Sequence, residues 1–332
     1  MASDKWRDID GVLLLDKPAG LSSNDALQTA RRIFRARKGG HGGTLDPLAT
    51  GLLPIAFGQA TKFINDLVEA RKTYLATIQL GSSSTTGDEE GEITANDPDN
   101  VVSRLVESDV LAALASLTGE IDQLPPMYSA LKHKGKPLYA YARKGHEVQR
   151  TARRISVYQM ELTGLALVKS SQIQVRIICS KGTYIRVLAE DIGAKLGCGA
   201  YLKFLRREAV GQFDMADGVE LDELKQLVVN DASLLANIKP VDTMLVGLPG
   251  CEIPADQAER FRHGQAVAIA HARFLSPVEP KSRAESGCGL PKERCRVYAL
   301  NRFLGLADID NDMLAPRRLV VADLPDETNT SA

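Results

Sequence analysis

The residues best placed for chemistry lie in one glycine-rich stretch. Residues 39–51 read GGHGGTLDPLATG. Glycines at 39, 40, 42, 43 and 51 let the backbone adopt φ > 0 and let a ligand approach the main chain closely. A phosphate-binding loop would need Gly-x-x-x-x-Gly-Lys-Ser/Thr, and no lysine follows these glycines. The dinucleotide fingerprint Gly-x-Gly-x-x-Gly after a strand is also absent. What remains is one carboxylate, Asp46, which Pro47 biases toward an extended backbone and a fixed aim. A carboxylate held in this way can act as a nucleophile or as a base. The same Asp-Pro pair also makes an ordinary turn.

A second segment, CSKGTYIR (residues 179–186), places Lys181, Tyr184 and Arg186 at an expected strand-to-helix junction. A helix N-terminus favours anions, and Arg186 there could keep a carboxylate ionised and oriented. Alternatively, it is a surface arginine near a helix start.

Charge supplies a third signal. The chain has 332 residues with 41 Lys+Arg and 42 Asp+Glu, a net charge of -1. That balance hides strong segregation. Residues 77–125 carry 1 basic and 10 acidic groups, while residues 126–215 carry 16 basic and 6 acidic. A basic block inside a neutral protein suits a polyanion, although a solvated charged face has the same composition. Within it, KHKGKPLYAYARKGHEVQRTARR (132–154) holds eight Lys/Arg against one Glu, with Tyr139 and Tyr141 interleaved and Tyr128 just before. Cations neutralise phosphates and aromatic rings take unstacked bases, so Lys132, Lys134, Lys136, Arg143, Arg150, Arg153 and Arg154 are candidate contacts to an RNA backbone. Gly135, Pro137 and Gly145 break any long helix here and predict an exposed arm over about 126–154.

The elements that must position these residues are legible in outline. Gly11 to Leu15 is an apolar strand; Ser22, Ser23 or Asn24 caps a helix with Leu27, Ala30 and Phe34 on one face. Tyr74, Ala76, Ile78 and Leu80 alternate as a half-buried strand. Residues 84–100 read as an acidic loop and 102–118 as an amphipathic helix. Residues 155–179 read as two strands joined near Lys169-Ser170, with Ile173, Val175, Ile177 and Cys179 on one face. Ser180 or Thr183 then caps a helix with Ile185, Leu188, Ile192 and Leu196 on one side. A boundary falls near 237–250, followed by short strands near 266–269, 297–300 and 319–321, and by a long loop over 275–292.

Other classes drop out. Cys179, Cys198, Cys251, Cys288 and Cys295 are odd in number and contain no C-x-x-C, so neither a disulfide framework nor a zinc site is expected. No apolar run approaches the roughly 18 residues of a membrane helix, and no apolar signal core opens the chain, so a cytoplasmic location is expected.

Taken together, GVLLLDKPAGLSSND (11–25), GHGGTLDPLATGLLP (40–54), KTYLATIQLG (72–81), the T-x-D-x-x-G run from Thr86 to Gly91, CSKGTYIRVLAEDIG (179–193) and LRREAVGQF (205–213) closely resemble the bacterial tRNA pseudouridine-55 synthases of the TruB type. The tail APRRLVV (315–321) resembles the end of that family's PUA domain. The resemblance implies an α+β pseudouridine synthase fold, a mixed and largely antiparallel sheet flanked by helices. It places this catalytic domain over 1–245, a C-terminal β-barrel PUA domain over 246–325, and a flexible tail over 326–332. It implies isomerisation of a T-loop uridine of tRNA without metal or organic cofactor, by a monomer whose partner is the T-arm stem-loop and not a membrane. It assigns Asp46 as the catalytic carboxylate, Tyr74 as the aromatic residue against the base, and Arg186 as the partner of the aspartate. Tyr184 and Leu205 would line the uridine pocket, His41 would contact the T-loop, and Lys17 would lie near the site. Attack at C1′ and removal of the C2′ proton remain alternative roles for Asp46. An RNA-folding protein without catalysis, or a synthase acting on another RNA, are the competing functions.

Overall fold

The computed structural model describes residues 5–275, 293–310 and 312–320. Strand β1 (Gly11–Lys17) is buried at every position but Asp16. It shows no alternation because both its faces are covered. Leu13 and Leu15 enter one core, while Val12 and Leu14 enter a second with Leu52, Ala56, Phe63 and Val210. Helix α1 (Ser23–Phe34) begins where expected: Ser22 Oγ accepts from the Asp25 N–H at 3.1 Å, and Ala26, Leu27, Ala30 and Phe34 are buried.

The glycine-rich stretch is less of a loop than its composition suggests. Gly39–His41 is a short strand paired antiparallel with β2 (Thr50–Phe57), and Thr50 and Gly51 already belong to β2. Only residues 42–49 remain irregular. Strand β3 (Lys72–Leu80) alternates as expected, with Tyr74, Ala76, Ile78 and Leu80 inward. The acidic stretch 84–100 holds part of a hairpin, Ser82–Ser84 against Ile93–Ala95. The helix expected over 102–118 is shorter: α2 spans Glu107–Ser116. Leu105 and Val106 are extended, and Asp109 Oδ2 accepts from the Val106 N–H at 3.0 Å, which starts the helix there.

Strand β4 (Gly119–Gln123) is followed by the arm, then by β5 (Arg153–Ala166) and β6 (Gln172–Cys179), whose buried positions are Ile173, Val175, Ile177 and Cys179. Helix α3 (Ile185–Leu196) follows, but neither Ser180 nor Thr183 caps it; Tyr184 is the N-cap residue and makes no side-chain cap. Both hydroxyls are engaged elsewhere, one with β5 and one within the preceding turn. Ser180 Oγ accepts from Ser156 N at 3.0 Å, and Thr183 Oγ1 donates to Ser180 O at 3.0 Å.

Strand β7 (Ala200–Val210) completes the main sheet. Its order runs from Val219–Glu220 through β1, β2, β7, β3, β6 and β5 to β4. The β2–β7 pair and the β1–Val219 pair are parallel; the other neighbours along this path are antiparallel. One face packs on α1, α2 and α3 around a single large core.

A second sheet starts at β8 (Gly250–Glu252), which is followed by helix α4 (Ala255–Arg262). It continues through β9 (Arg294–Ala299), β10 (Arg302–Asp310) and β11 (Met313–Leu319), with short strands at Val267–Ala268 and Arg273–Phe274. This is the small PUA-like β unit expected at the C-terminal end. Leu306 and Val320 pack into the second core of the main sheet, Phe63 lies 5.6 Å from Phe303, and Lys62 Nζ donates to Leu319 O. Most of the expected long loop, with Cys288, lies outside the described residues, as does the expected tail 326–332. The other four cysteines are buried free thiols.

Candidate active site

Strands β2, β7 and β3 lie side by side, and the irregular segment 42–49 leads into the start of β2. Helix α3 leaves β6 on the other side of β3. The two sequence motifs therefore converge. Arg186 Nη2 lies 3.0 Å from Asp46 Oδ2, the pairing that the resemblance implies.

Arg186 is buried, and both of its terminal nitrogens are engaged. Its Nη2 also donates to Tyr128 O at 2.7 Å; its Nη1 donates to Thr86 O at 3.0 Å and lies 3.3 Å from Asp88 Oδ2. One guanidinium thus joins the aspartate loop, the T-x-D-x-x-G segment and the base of the arm. Asp88 is itself fixed, accepting from Thr86 Oγ1 at 2.5 Å and from the Glu90 N–H at 3.1 Å. Sequence reasoning did not single out Asp88. Its only signal was its place in the Thr86–Gly91 run, among the like-charged Glu89, Glu90 and Glu92.

The electrostatics follow from this packing. Burial pushes the Asp46 carboxyl above its ordinary pKa against the pull of Arg186, and Asp88 adds to the rise. Burial also pushes the Tyr74 phenol up, and Tyr184 likewise. Tyr74 projects inward from β3, with Arg207 of β7 its cross-strand neighbour. Leu205, on the same strand as Arg207, is buried opposite Ala76. The Tyr184 backbone is locked on both sides by Gln123, whose side chain accepts from its N–H at 2.8 Å and donates to its carbonyl at 3.1 Å.

Lys17 has no exposed surface. Its ammonium donates to Pro18 O at 2.8 Å, Leu21 O at 2.7 Å and Pro47 O at 3.4 Å, and burial lowers its pKa to about 8. All three of its protons are directed at backbone, so Lys17 holds the turn after β1 against the aspartate loop. Burial lowers the His41 pKa as well, with Arg207 adding to the effect; His41 Nδ1 is buried without a hydrogen-bond partner among the described residues. Lys72 and Arg207 are two more buried cations that the sequence reading passed over. Lys72 Nζ donates to Leu67, Val68 and Ala70 carbonyls and has its pKa lowered by burial to about 8.

The arm residues separate into two groups. Lys132, Lys134 and Lys136 sit exposed on the small hairpin Lys132–His133/Lys136–Pro137, and Arg143 and Arg153 are exposed as well. The Arg143 guanidinium lies 5.5 Å from the Tyr139 ring. Arg150 instead turns inward, donating to Pro125 O at 3.0 Å and pairing with Glu147. Arg154 is held at 3.1 Å by both Glu120 and Asp122 of β4.

Comparison with known proteins agrees with this architecture. Residues 31–185 match the N-terminal domain of the TruB family pseudouridylate synthases, 186–246 the tRNA pseudouridylate synthase B C-terminal domain, and 249–320 the C-terminal unit of pseudouridine synthase II TruB. A Burkholderia lata protein called tRNA pseudouridine synthase B is 50% identical over 316 residues, covering 94% of this chain and 91% of that protein. A Cupriavidus pinatubonensis protein of the same description is 47% identical over 319 residues, covering 95% of each. In fold, the chain is similar to a chain in the crystal structure of a Cbf5-Nop10-Gar1 complex, with a TM-score of 0.68 and 23% identity, covering 93% of this chain and 84% of that one. The near-complete coverage at about half identity, with three consecutive family matches, means that this chain belongs to the TruB family of pseudouridylate synthases.

Proposed function

We propose that this protein converts a uridine in the T-loop of tRNA, at position 55, to pseudouridine, with Asp46 as the reacting carboxylate. The tRNA substrate rests on the relatives' description as tRNA pseudouridine synthase B. The observation that carries the role of Asp46 is its contact with a buried arginine whose two terminal nitrogens are also tied to the Thr86 and Tyr128 carbonyls and to Asp88.

In this reading the target base leaves its stack and enters the space beside Tyr74 and Leu205. The C1′–N1 bond breaks, the uracil turns while held against these side chains, and a C1′–C5 bond forms. The proton on C5 is lost and N1 gains one, so the product is an isomer. Asp46 either attacks C1′ or takes the C2′ proton, and Arg186 stabilises the carboxylate in both cases. Tyr74 supplies the aromatic face, Tyr184 and Leu205 bound the pocket, and His41 meets the T-loop with a ring whose Nδ1 has no partner among the described residues. The exposed Lys132, Lys134, Lys136, Arg143 and Arg153 meet the phosphates. The PUA-like unit adds a second RNA surface in a monomeric, cytoplasmic enzyme that uses no cofactor.

The test is incubation with an unmodified tRNA transcript and pseudouridine mapping by carbodiimide-stop primer extension, repeated on an isolated T-arm hairpin. A new stop at the T-loop uridine in both is expected. A stop elsewhere, or none, rejects the assignment; a stop in full-length tRNA alone shows that elements beyond the T-arm are needed.

A further inference from the structure

Between His41 and Thr50 the chain has no regular secondary structure, so no repeating ladder holds the segment that carries Asp46. From Gly43 to Pro47 its carbonyls are nonetheless all taken. Gly43 O and Thr44 O accept from Arg207 Nη2 and Nη1 at 3.2 and 3.4 Å. Leu45 O accepts from Ser23 Oγ at 3.0 Å, and that same oxygen accepts from the Leu45 N–H at 2.7 Å. Asp46 O accepts from Ala49 N at 3.1 Å, and Pro47 O from Gly20 N at 2.9 Å and from Lys17.

Arg207 is the donor that needs explaining. It is 1% exposed, and no carboxylate pairs with it among the described residues. Burying a cation without a counter-ion is costly, and a neutral side chain could satisfy one carbonyl at less expense. What a guanidinium adds is a rigid planar fork that serves several acceptors at fixed angles. Its Nε donates to Leu52 O at 2.7 Å while the two terminal nitrogens reach Gly43 and Thr44. Tyr74 of β3 is the cross-strand neighbour of Arg207. A single planar group therefore ties the aspartate loop and the start of β2 to one point on β7, directly across from Tyr74 on β3.

Close backbone contact keeps that point from drifting. Gly51 is opposite Arg207 at φ +99, and a Cβ there would come within 2.3 Å of Arg207 O. Movement of Arg207 would thus be transmitted to both ends of the loop.

We infer that Arg207 is a positioning residue for the isomerisation: held across from Tyr74 and bonded to the carbonyls of Gly43 and Thr44, it sets the distance between the Asp46 carboxylate and the aromatic face of the pocket, without itself meeting the RNA. This rests on the reading of Asp46 as the reacting carboxylate.

The experiment compares Arg207→Lys with wild type in single-turnover rate at saturating tRNA transcript, in tRNA Kd, and in thermal melting, with Asp46→Asn run beside it. Lysine keeps the charge but replaces the fork by one point. The rate should fall roughly ten- to a hundredfold, the scale of an ångström of misplacement. The tRNA Kd should stay within about threefold, and the loss of rate should persist well below the melting temperature. A rate within about threefold of wild type overturns the inference. So does a Kd weakened by the same factor as the rate, which would make Arg207 a binding residue, or a rate restored by cooling, which would make its role purely one of stability.

Should the lysine variant fail to fold, Ser23→Ala, which removes only the neighbouring tie to Leu45, takes its place. A several-fold loss of rate at unchanged Kd supports loop positioning, and full rate overturns it. If Asp46→Asn keeps its rate, the reading of Asp46 fails, whatever Arg207 does.

Discussion

Arg186 and Asp46 meet at 3.0 Å but at different depths: the arginine side chain is 6% exposed and the aspartate 39%. The cation is anchored from within by Asp88 and two carbonyls, so the aspartate is aimed by a partner that cannot follow it outward. In the proposed role of Asp46, the exposed side of the carboxylate is the part that meets the substrate.

Asp46→Asn should remove turnover while leaving tRNA affinity nearly unchanged. The amide keeps the shape of the side chain but can neither attack nor take a proton, so a loss of several powers of ten in rate is expected. Single-turnover kinetics with a matched binding assay checks this. A rate within about tenfold of wild type would remove Asp46 from the chemistry.

Arg186→Ala should move the acidic limb of the pH–rate profile upward. In the proposed mechanism activity requires ionised Asp46 and is lost as pH falls through its pKa. Burial already raises that pKa, Arg186 opposes the rise, and Asp88 reinforces it. Without the guanidinium the carboxyl protonates at higher pH, so the limb shifts to higher pH. Arg186→Lys should also lower the rate strongly with a smaller effect on affinity, because an ammonium cannot serve Asp46, Asp88 and two carbonyls as a planar fork does. A single-turnover pH series on both variants decides; an unmoved limb in the Ala variant, or full rate in the Lys variant, rejects the pairing as functional.

Replacing Lys132, Lys134 and Lys136 together with alanine should weaken tRNA binding and flatten its salt dependence, by up to about 0.7–0.9 in log–log slope for each phosphate that is no longer neutralised. Arg154→Ala should change that slope much less, because Glu120 and Asp122 already hold its guanidinium. Filter binding across a salt series checks both. Equal slopes in the triple variant and wild type would show that these lysines face solvent alone.

Gly51→Ala should destabilise the fold. The position combines φ +99 with a Cβ that would lie 2.3 Å from a backbone oxygen, so neither a rotamer change nor a side-chain shift relieves it. A loss of about 2 kcal/mol or more is expected, against a few tenths for an ordinary surface change. Gly40→Ala, where nothing lies within 4 Å of the added atom, is the control. Chemical denaturation of the two variants measures the difference.

Much of the frame was determined locally and was therefore legible in the residues. The alternation from Tyr74 to Leu80, the inward set Ile173, Val175, Ile177 and Cys179, and the Ser22 cap of α1 each depend on neighbours a few positions away. The motifs carrying Asp46 and Arg186 were also visible, as was the basic arm between them. What the tertiary structure decided is which charges lose their water. Lys17, Lys72, Asp88 and Arg207 sit in stretches where a charged side chain ordinarily faces solvent, yet all four are buried. Arg207 is inward because the loop carbonyls of Gly43 and Thr44 come to it from another element, and Asp88 because α3 delivers Arg186. In the opposite sense, Arg154 is counted with the basic arm in the sequence but is claimed by two acids of an adjacent strand. Periodicity reports only the faces of a single helix or strand. The environment of a charge depends on which groups the fold brings within a few ångströms, and these come from distant parts of the chain.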